Sequence, residues 1–276
     1  MTSLSLFDPS NDLRHDASDV RTVLVFDGSF EGWLSAVFYA YEHKLVRTPL
    51  LIKAAHDHVD SFLDEVVMVA NDADKATRVL TRLQEMLSVR DVIWAFLSED
   101  PMVYTHLFRV VVYQLDNPHR RVMANFAHPD VQAVQARIKK VGRERHRMQA
   151  FVRFEDTVQG VYFAKVNPDF NVLPLIGDFF AKRFADQSWL IFDVVRGYGI
   201  FYDHHDPKAG VQDIVDIDET MLTDHHAFHS DKEPIYQRLW QAYFRHVTIK
   251  ERINPKHHIA QMPRRYWRYL VEKKGR

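Results

Sequence analysis

The sequence predicts an α+β protein in which several helices pack with a small antiparallel sheet. Three observations carry this expectation. Helical periodicity dominates residues 72–115 and 130–149. Short apolar or alternating runs cluster in two places, near 151–166 and 189–202, and each cluster turns at a glycine, so each reads as a hairpin. Nowhere does the chain show a regular alternation of strand and helix or an internal repeat.

Residues 1–21 are polar and acidic (Asp8, Asp12, Asp16, Asp19) and lack the charged-then-apolar order of a signal peptide, so they read as a mobile leader. Residues 22–26 form a β-branched apolar run that ends at Asp27-Gly28, a strand entering a turn. Ser29 can cap a helix reaching about residue 43, with Phe30, Trp33, Leu34, Val37, Phe38 and Tyr41 at helical spacing. Residues 50–58 are ambiguous. Residues 72–115 predict three helical segments, broken near Ser88 and Pro101, and Pro118 and Pro129 bracket a loop.

The clearest helix is 130–149. Val131, Val134, Ile138, Val141 and Met148 form one stripe, and Lys140, Arg143 and Arg147 form another. Beyond it, 151–154 and 161–166 read as one hairpin. Asn171 caps a helix with Pro174 in its first turn. Residues 189–195 and 198–202 read as a second hairpin, turning at Arg196-Gly197. A last helix over 231–247 leads into a basic tail, 250–276. Residues 22–276 together predict a single domain.

Composition bounds the function. The chain has 276 residues, 46% hydrophobic and 26% charged, with a formal net charge of -1. These are ordinary values for a soluble globular protein. No apolar run approaches the roughly 20 residues that span a bilayer, so the chain is expected to be cytoplasmic with no membrane partner. It has no cysteine. That excludes disulfides, a thiolate nucleophile, a four-cysteine zinc site and a cysteine-ligated iron–sulfur cluster. No cofactor is expected.

Charge is distributed unevenly. Residues 250–276 hold nine basic and two acidic side chains, and 137–147 hold six basic and one acidic. Inside the tail, Pro263-Arg264-Arg265-Tyr266-Trp267-Arg268-Tyr269 interleaves guanidinium groups with rings. Arginine forks suit phosphates, and flat rings suit unstacked bases. Lys140, Arg143, Arg147, Arg264, Arg265, Tyr266, Trp267 and Arg268 are therefore the candidate nucleic-acid contacts. Each half has a plain alternative: a solvated helix face for the first, and core packing of the rings for the second.

Other groups point to chemistry less directly. Asp27, Ser29 and Glu31 sit at a strand-to-helix turn, where local capping competes with a metal or catalytic role. His146 has the residue type for acid–base work but also fits a structural histidine among charged partners. Asp27, Glu31 and His146 are the catalytic candidates. Asp203-His204-His205-Asp206 and Asp224-His225-His226 with His229 resemble ligand sets. They read as surface clusters that take nickel or zinc adventitiously, so no metal centre is expected. Arg153 and Asp193 are charged residues in apparent strands, and a pair between them is expected.

Five segments carry a family resemblance: Phe26-Asp27-Gly28-Ser29-Phe30-Glu31-Gly32; Glu144-Arg145-His146-Arg147-Met148-Gln149-Ala150-Phe151-Val152-Arg153-Phe154; Asn171-Val172-Leu173-Pro174-Leu175; Phe184-Ala185-Asp186-Gln187-Ser188-Trp189-Leu190-Ile191-Phe192-Asp193; and Asn254-Pro255-Lys256 through Met262-Pro263-Arg264-Arg265-Tyr266-Trp267-Arg268-Tyr269. Together they resemble a bacterial DNA-metabolism protein family of unknown function. That family is encoded beside a DNA-repair or DNA-modification radical-SAM protein and also occurs fused to a uracil-DNA-glycosylase-like domain. The resemblance implies a link to DNA metabolism and a radical-SAM partner, and it supplies no catalytic residues. The expectation is a DNA- or nucleotide-binding partner of a radical-SAM enzyme. The alternatives are a hydrolase or transferase acting on nucleic acid or nucleotides, and a structural adaptor without nucleic-acid affinity.

Overall fold

The computed structural model describes residues 21–57, 64–214, 233, 235, 237–239, 241, 259 and 261–273. The leader and most of 215–260, including the 224–229 histidines, lie outside the described residues; of the helix expected over 231–247, residues 233, 235, 237–239 and 241 are described, and they are helical. The chain divides into two compact units, Met1–Phe96 with Asp100–Val134, and Leu97–Glu99 with Gln135–Arg276. No helix among the described residues is long and apolar enough to cross a membrane.

The first unit is built on a parallel sheet. β1 (Thr22–Phe26) lies between β2 (Leu50–Ala54) and β3 (Glu65–Met68), and both neighbours run parallel to it. All five β1 residues are buried, as an apolar run covered on both faces should be. α1 (Phe30–Glu42) packs on β1 and on α2 (Ala73–Met86). α3 (Val89–Phe96) and α4 (Val103–Asp116) complete the unit. The breaks between these helices fall at Ser88 and around Pro101, where the sequence is punctuated. α4 is fastened to β2 by Thr105, whose hydroxyl accepts from Ile52 N (2.9 Å) and donates to Ile52 O (3.2 Å).

The second unit holds a five-stranded sheet in the order β4-β5-β6-β7-β8. Its strands are β4 (Glu155–Asp156), β5 (Tyr162–Val166), β6 (Trp189–Asp193), β7 (Tyr198–Tyr202) and β8 (Val211–Ile214). α5 (Pro129–Phe151) begins in the first unit and continues in the second, and α6 (Leu173–Arg183) connects β5 to β6. Phe154, Phe180, Phe184, Trp189 and Tyr202 pack as an aromatic core.

The α+β class stands, but the antiparallel sheet must be corrected. One sheet is wholly parallel, and the other is mixed because β5 and β6 are parallel. The α6 crossover permits this, since parallel neighbours need a long connection. The hairpin over 189–202 is present as β6–β7. The one near 151–166 shrinks to Glu155–Asp156 against Tyr162 and Phe163. Residues 151–154 are not a strand, because α5 runs on through Phe151 and Val152 N still donates to Met148 O at 3.1 Å.

Candidate functional site

The basic stretch of α5 contains one acid, Glu144, and the structure turns on it. Its side chain is only 1% exposed. Glu144 stands three residues from Val141 and four from Met148, so it shares their buried face rather than the charged one. Burying a carboxylate is costly unless it is paired and hydrogen-bonded. Glu144 has both. Oε1 accepts from the Tyr266 hydroxyl and from Asp169 N (2.9 Å). Oε2 accepts from Arg265 Nη2 at 3.0 Å, with Arg147 Nη1 3.6 Å away.

The basic tail is therefore docked on the basic helix. Arg264–Tyr269 forms a 3-10 turn. Arg265 reaches Glu144, lies 2.6 Å from Asp169 Oδ2, and donates to the Tyr266 hydroxyl at 2.5 Å. Tyr266 is buried beside Phe151. Burial, with Glu144 accepting its proton, pushes the Tyr266 phenol far above its usual range, so it stays a donor at neutral pH. Burial also raises the Asp169 carboxyl, against the pull of Arg265.

A second charged cluster adjoins the same loop. Asp193, at the carboxyl end of β6, is fully buried and accepts from Arg196 Nη1 at 2.8 Å and from Val195 N at 3.0 Å. Arg196 also grips Glu99 through Nε and Nη2 (2.9 and 2.6 Å) and donates to Pro168 O at 3.1 Å. Glu99 adopts φ +51, a left-handed conformation rare outside glycine. Tyr198 donates to Asn171 Oδ1 at 2.5 Å. The loop Asn167-Pro168-Asp169 thus joins both clusters beyond the carboxyl ends of the parallel pair β5–β6, the place where open α/β sheets present their loops to ligands.

The candidate contacts sort into anchors and exposed groups. Arg265 and Tyr266 are anchors. Arg147 is half-buried against Glu144. Trp267 is half-buried: its indole N–H donates to Met262 O at 3.1 Å, and its ring is flanked by Arg264 at 5.8 Å and Lys273 at 5.1 Å. Lys140, Arg143, Arg264 and Arg268 are exposed. His146 is exposed on α5. The expected Arg153–Asp193 pair is not formed. Arg153 follows α5 instead of lying in the sheet, so it meets Glu272 Oε1 at 3.0 Å, while Asp193 is held by Arg196.

The other two catalytic candidates belong to the first unit. Asp27 Oδ1 accepts from Ser29 N (2.8 Å) and Ser29 Oγ (2.6 Å), and Oδ2 accepts from Asn71 Nδ2 (3.1 Å). Partial burial opposes ionisation, but these bonds outweigh it and hold the Asp27 carboxyl below its ordinary value. Ser29 caps α1 by accepting from Gly32 N at 2.9 Å. A Cβ on Gly32 would fall 2.0 Å from Asp27 Oδ1, which explains the glycine. Glu31 is exposed and points into neither of two cavities in this unit, of about 270 and 540 Å³. The turn is a satisfied cap.

Residues 101–272 match a family described as a domain of unknown function, DUF4130. The chain belongs to the DUF4130 family. The matched segment includes Glu144, Asp169, Asp193, Arg196, Arg265 and Tyr266, and it leaves out the Asp27 turn. No curated protein matches the chain. Sequence reasoning missed Glu144, Asp169, Glu99 and Arg196 as a connected set. For Glu144 a signal was available: an acid at the spacing of the apolar stripe, inside a run of bases.

Proposed function

We propose that this chain binds nucleic acid, through a basic surface formed where the tail docks on α5, and that it serves a radical-SAM enzyme of DNA repair or modification. One observation carries the binding reading. Arg265 and Tyr266 lock the tail onto Glu144, beside the helix stripe bearing Lys140, Arg143 and Arg147. Without that buried carboxylate, a helix stretch with six basic side chains and a tail with nine would repel each other. Joined by it, they leave Lys140, Arg143, Arg264 and Arg268 exposed in a near-neutral chain. Exposed arginine and lysine on such a surface suit the phosphate backbone, which supplies most non-specific affinity.

The radical-SAM partner and the DNA setting come from the sequence resemblance, including the uracil-DNA-glycosylase-like fusions. The role that follows is recognition or presentation of substrate, because a chain without cysteine leaves cluster chemistry to its partner. The test is binding of labelled single-stranded and duplex oligonucleotides at low salt, alone and with the co-expressed radical-SAM protein. Binding that weakens in Lys140→Ala/Arg143→Ala supports the proposal. No binding in either setting removes it and leaves a structural adaptor.

A further inference from the structure

The turn that follows β7 carries Asp203, His204 and His205. From spacing alone it belongs with the more distal histidines as one polar surface segment. The strand register separates it. β6 and β7 are antiparallel with Trp189 opposite Tyr202, so Ser188 and Asp203 emerge facing each other at the end of the ladder. Ser188 Oγ lies 2.9 Å from Asp203 Oδ1 and 2.8 Å from His204 Nδ1, and it accepts from His204 N at 3.2 Å.

A serine hydroxyl has one proton to give, and an ionised aspartate can only accept. The Ser188 proton therefore goes to Asp203. His204 Nδ1 must then carry a proton and donate it to Ser188, which leaves the ring's lone pair on Nε2. This is how metal-binding histidines are held: one ring nitrogen donates to an oxygen, and the other ligates. The His205 ring lies beside it, with centroids 3.7 Å apart. One ligand atom from each of the three residues lies within 4.8 Å of the other two.

We propose that Asp203, His204 and His205 form a binding site for one divalent transition-metal ion of the zinc, cobalt or nickel class. Two imidazoles and one carboxylate suit these borderline ions, whereas magnesium and calcium prefer all-oxygen shells. With metal–ligand distances of about 2.0–2.1 Å, tetrahedral donors stand about 3.3 Å apart. Ligand atoms that lie within 4.8 Å of one another need to close by at most about 1.5 Å, and the exposed His205 can swing to do so. Three protein ligands leave at least one position open for water or a substrate atom. Ser188 is a positioning residue: it orients His204 and Asp203 without touching the ion.

The experiment is calorimetric titration of untagged, chelator-treated full-length protein with Zn2+, with Mg2+ as control and a thermal melt for each variant. The expected result is one equivalent of Zn2+, no Mg2+ binding, and loss of the site in His204→Ala and in the exposed His205→Ala. Ser188→Ala should weaken Zn2+ by about 10–100-fold. His225→Ala/His229→Ala should leave the affinity unchanged. Binding that survives His204→Ala, that disappears with the His225/His229 pair, or that ignores Ser188→Ala identifies an adventitious ion only and overturns the proposal.

Discussion

Replacing Arg265 with alanine should cost stability before it costs binding. Arg265 is one-third exposed and bridges Glu144, which is not, to Asp169. Removing one partner of a buried pair typically costs about 3–5 kcal/mol, because an uncompensated charge is left behind. Two features lower that value here. Arg147 remains 3.6 Å from the same carboxylate. The Tyr266 hydroxyl and Asp169 N also continue to donate. The expected loss is about 2–3 kcal/mol, or about 4–10 °C in melting temperature for a cooperative unit of this size. Arg265→Met with Glu144→Gln should recover much of it, since removing both charges relieves the burial penalty. The assay is thermal melting by circular dichroism, with oligonucleotide binding measured in parallel well below the melting temperature. An Arg265→Ala protein that melts like wild type but no longer binds would refute the reasoning. It would make Arg265 a direct contact and leave Glu144 without its structural role.

Four further outcomes are expected. Tyr266→Phe removes one hydrogen bond to a buried charge and should cost about 1.5–3 kcal/mol in urea unfolding; no change would mean that Glu144 is satisfied without it. Trp267→Ala should lower the melting temperature, because the half-buried ring donates to Met262 O and takes the Lys273 ammonium at 5.1 Å; an unchanged melt with lost single-strand binding would make it a stacking platform instead. Gly32→Ala should destabilise more than Ser29→Ala, which loses a cap worth about 1 kcal/mol, because the new methyl meets Asp27 at 2.0 Å. Asp27 is held below its ordinary value in the fold, so its contribution is present above about pH 4 and fades as the pH falls through the lower folded value. Asp27→Asn should flatten that part of the acid limb in a melting-temperature profile against pH, and an identical limb would contradict the assignment.

Local features were legible in the sequence, and long-range pairings were not. The Ser29 cap, the breaks at Ser88 and Pro101, and the apolar stripe of α5 follow from residue type and spacing. The error at 151–154 came from alternation: Phe151-Val152-Arg153-Phe154 reads as a strand, yet Val152 also continues the stripe of Val141 and Met148 by one more helical turn. The parallel pairing of β5 with β6 was invisible for a different reason. A strand followed by a helix and another strand fits either a crossover or two separate hairpins, and burial of both faces of the pair decides the matter. The charged network was hidden because Glu144, Asp169, Arg196 and Arg265 are far apart in sequence, and each alone resembles an ordinary surface charge.

The central claim is that a docked tail and a helix stripe make one phosphate-binding surface. The most direct measurement is the slope of log binding constant against log salt concentration for a single-stranded oligonucleotide. Wild type is compared with Lys140→Ala/Arg143→Ala, Arg264→Ala/Arg268→Ala and the combined variant, all checked for native melting. Each arginine or lysine that neutralises a phosphate contributes about 0.7 to the slope on a single strand. Each double variant should therefore lower it by up to about 1.4, and the combined variant by the sum of the two. A slope that stays at the wild-type value in all three, with affinity intact, would contradict the account.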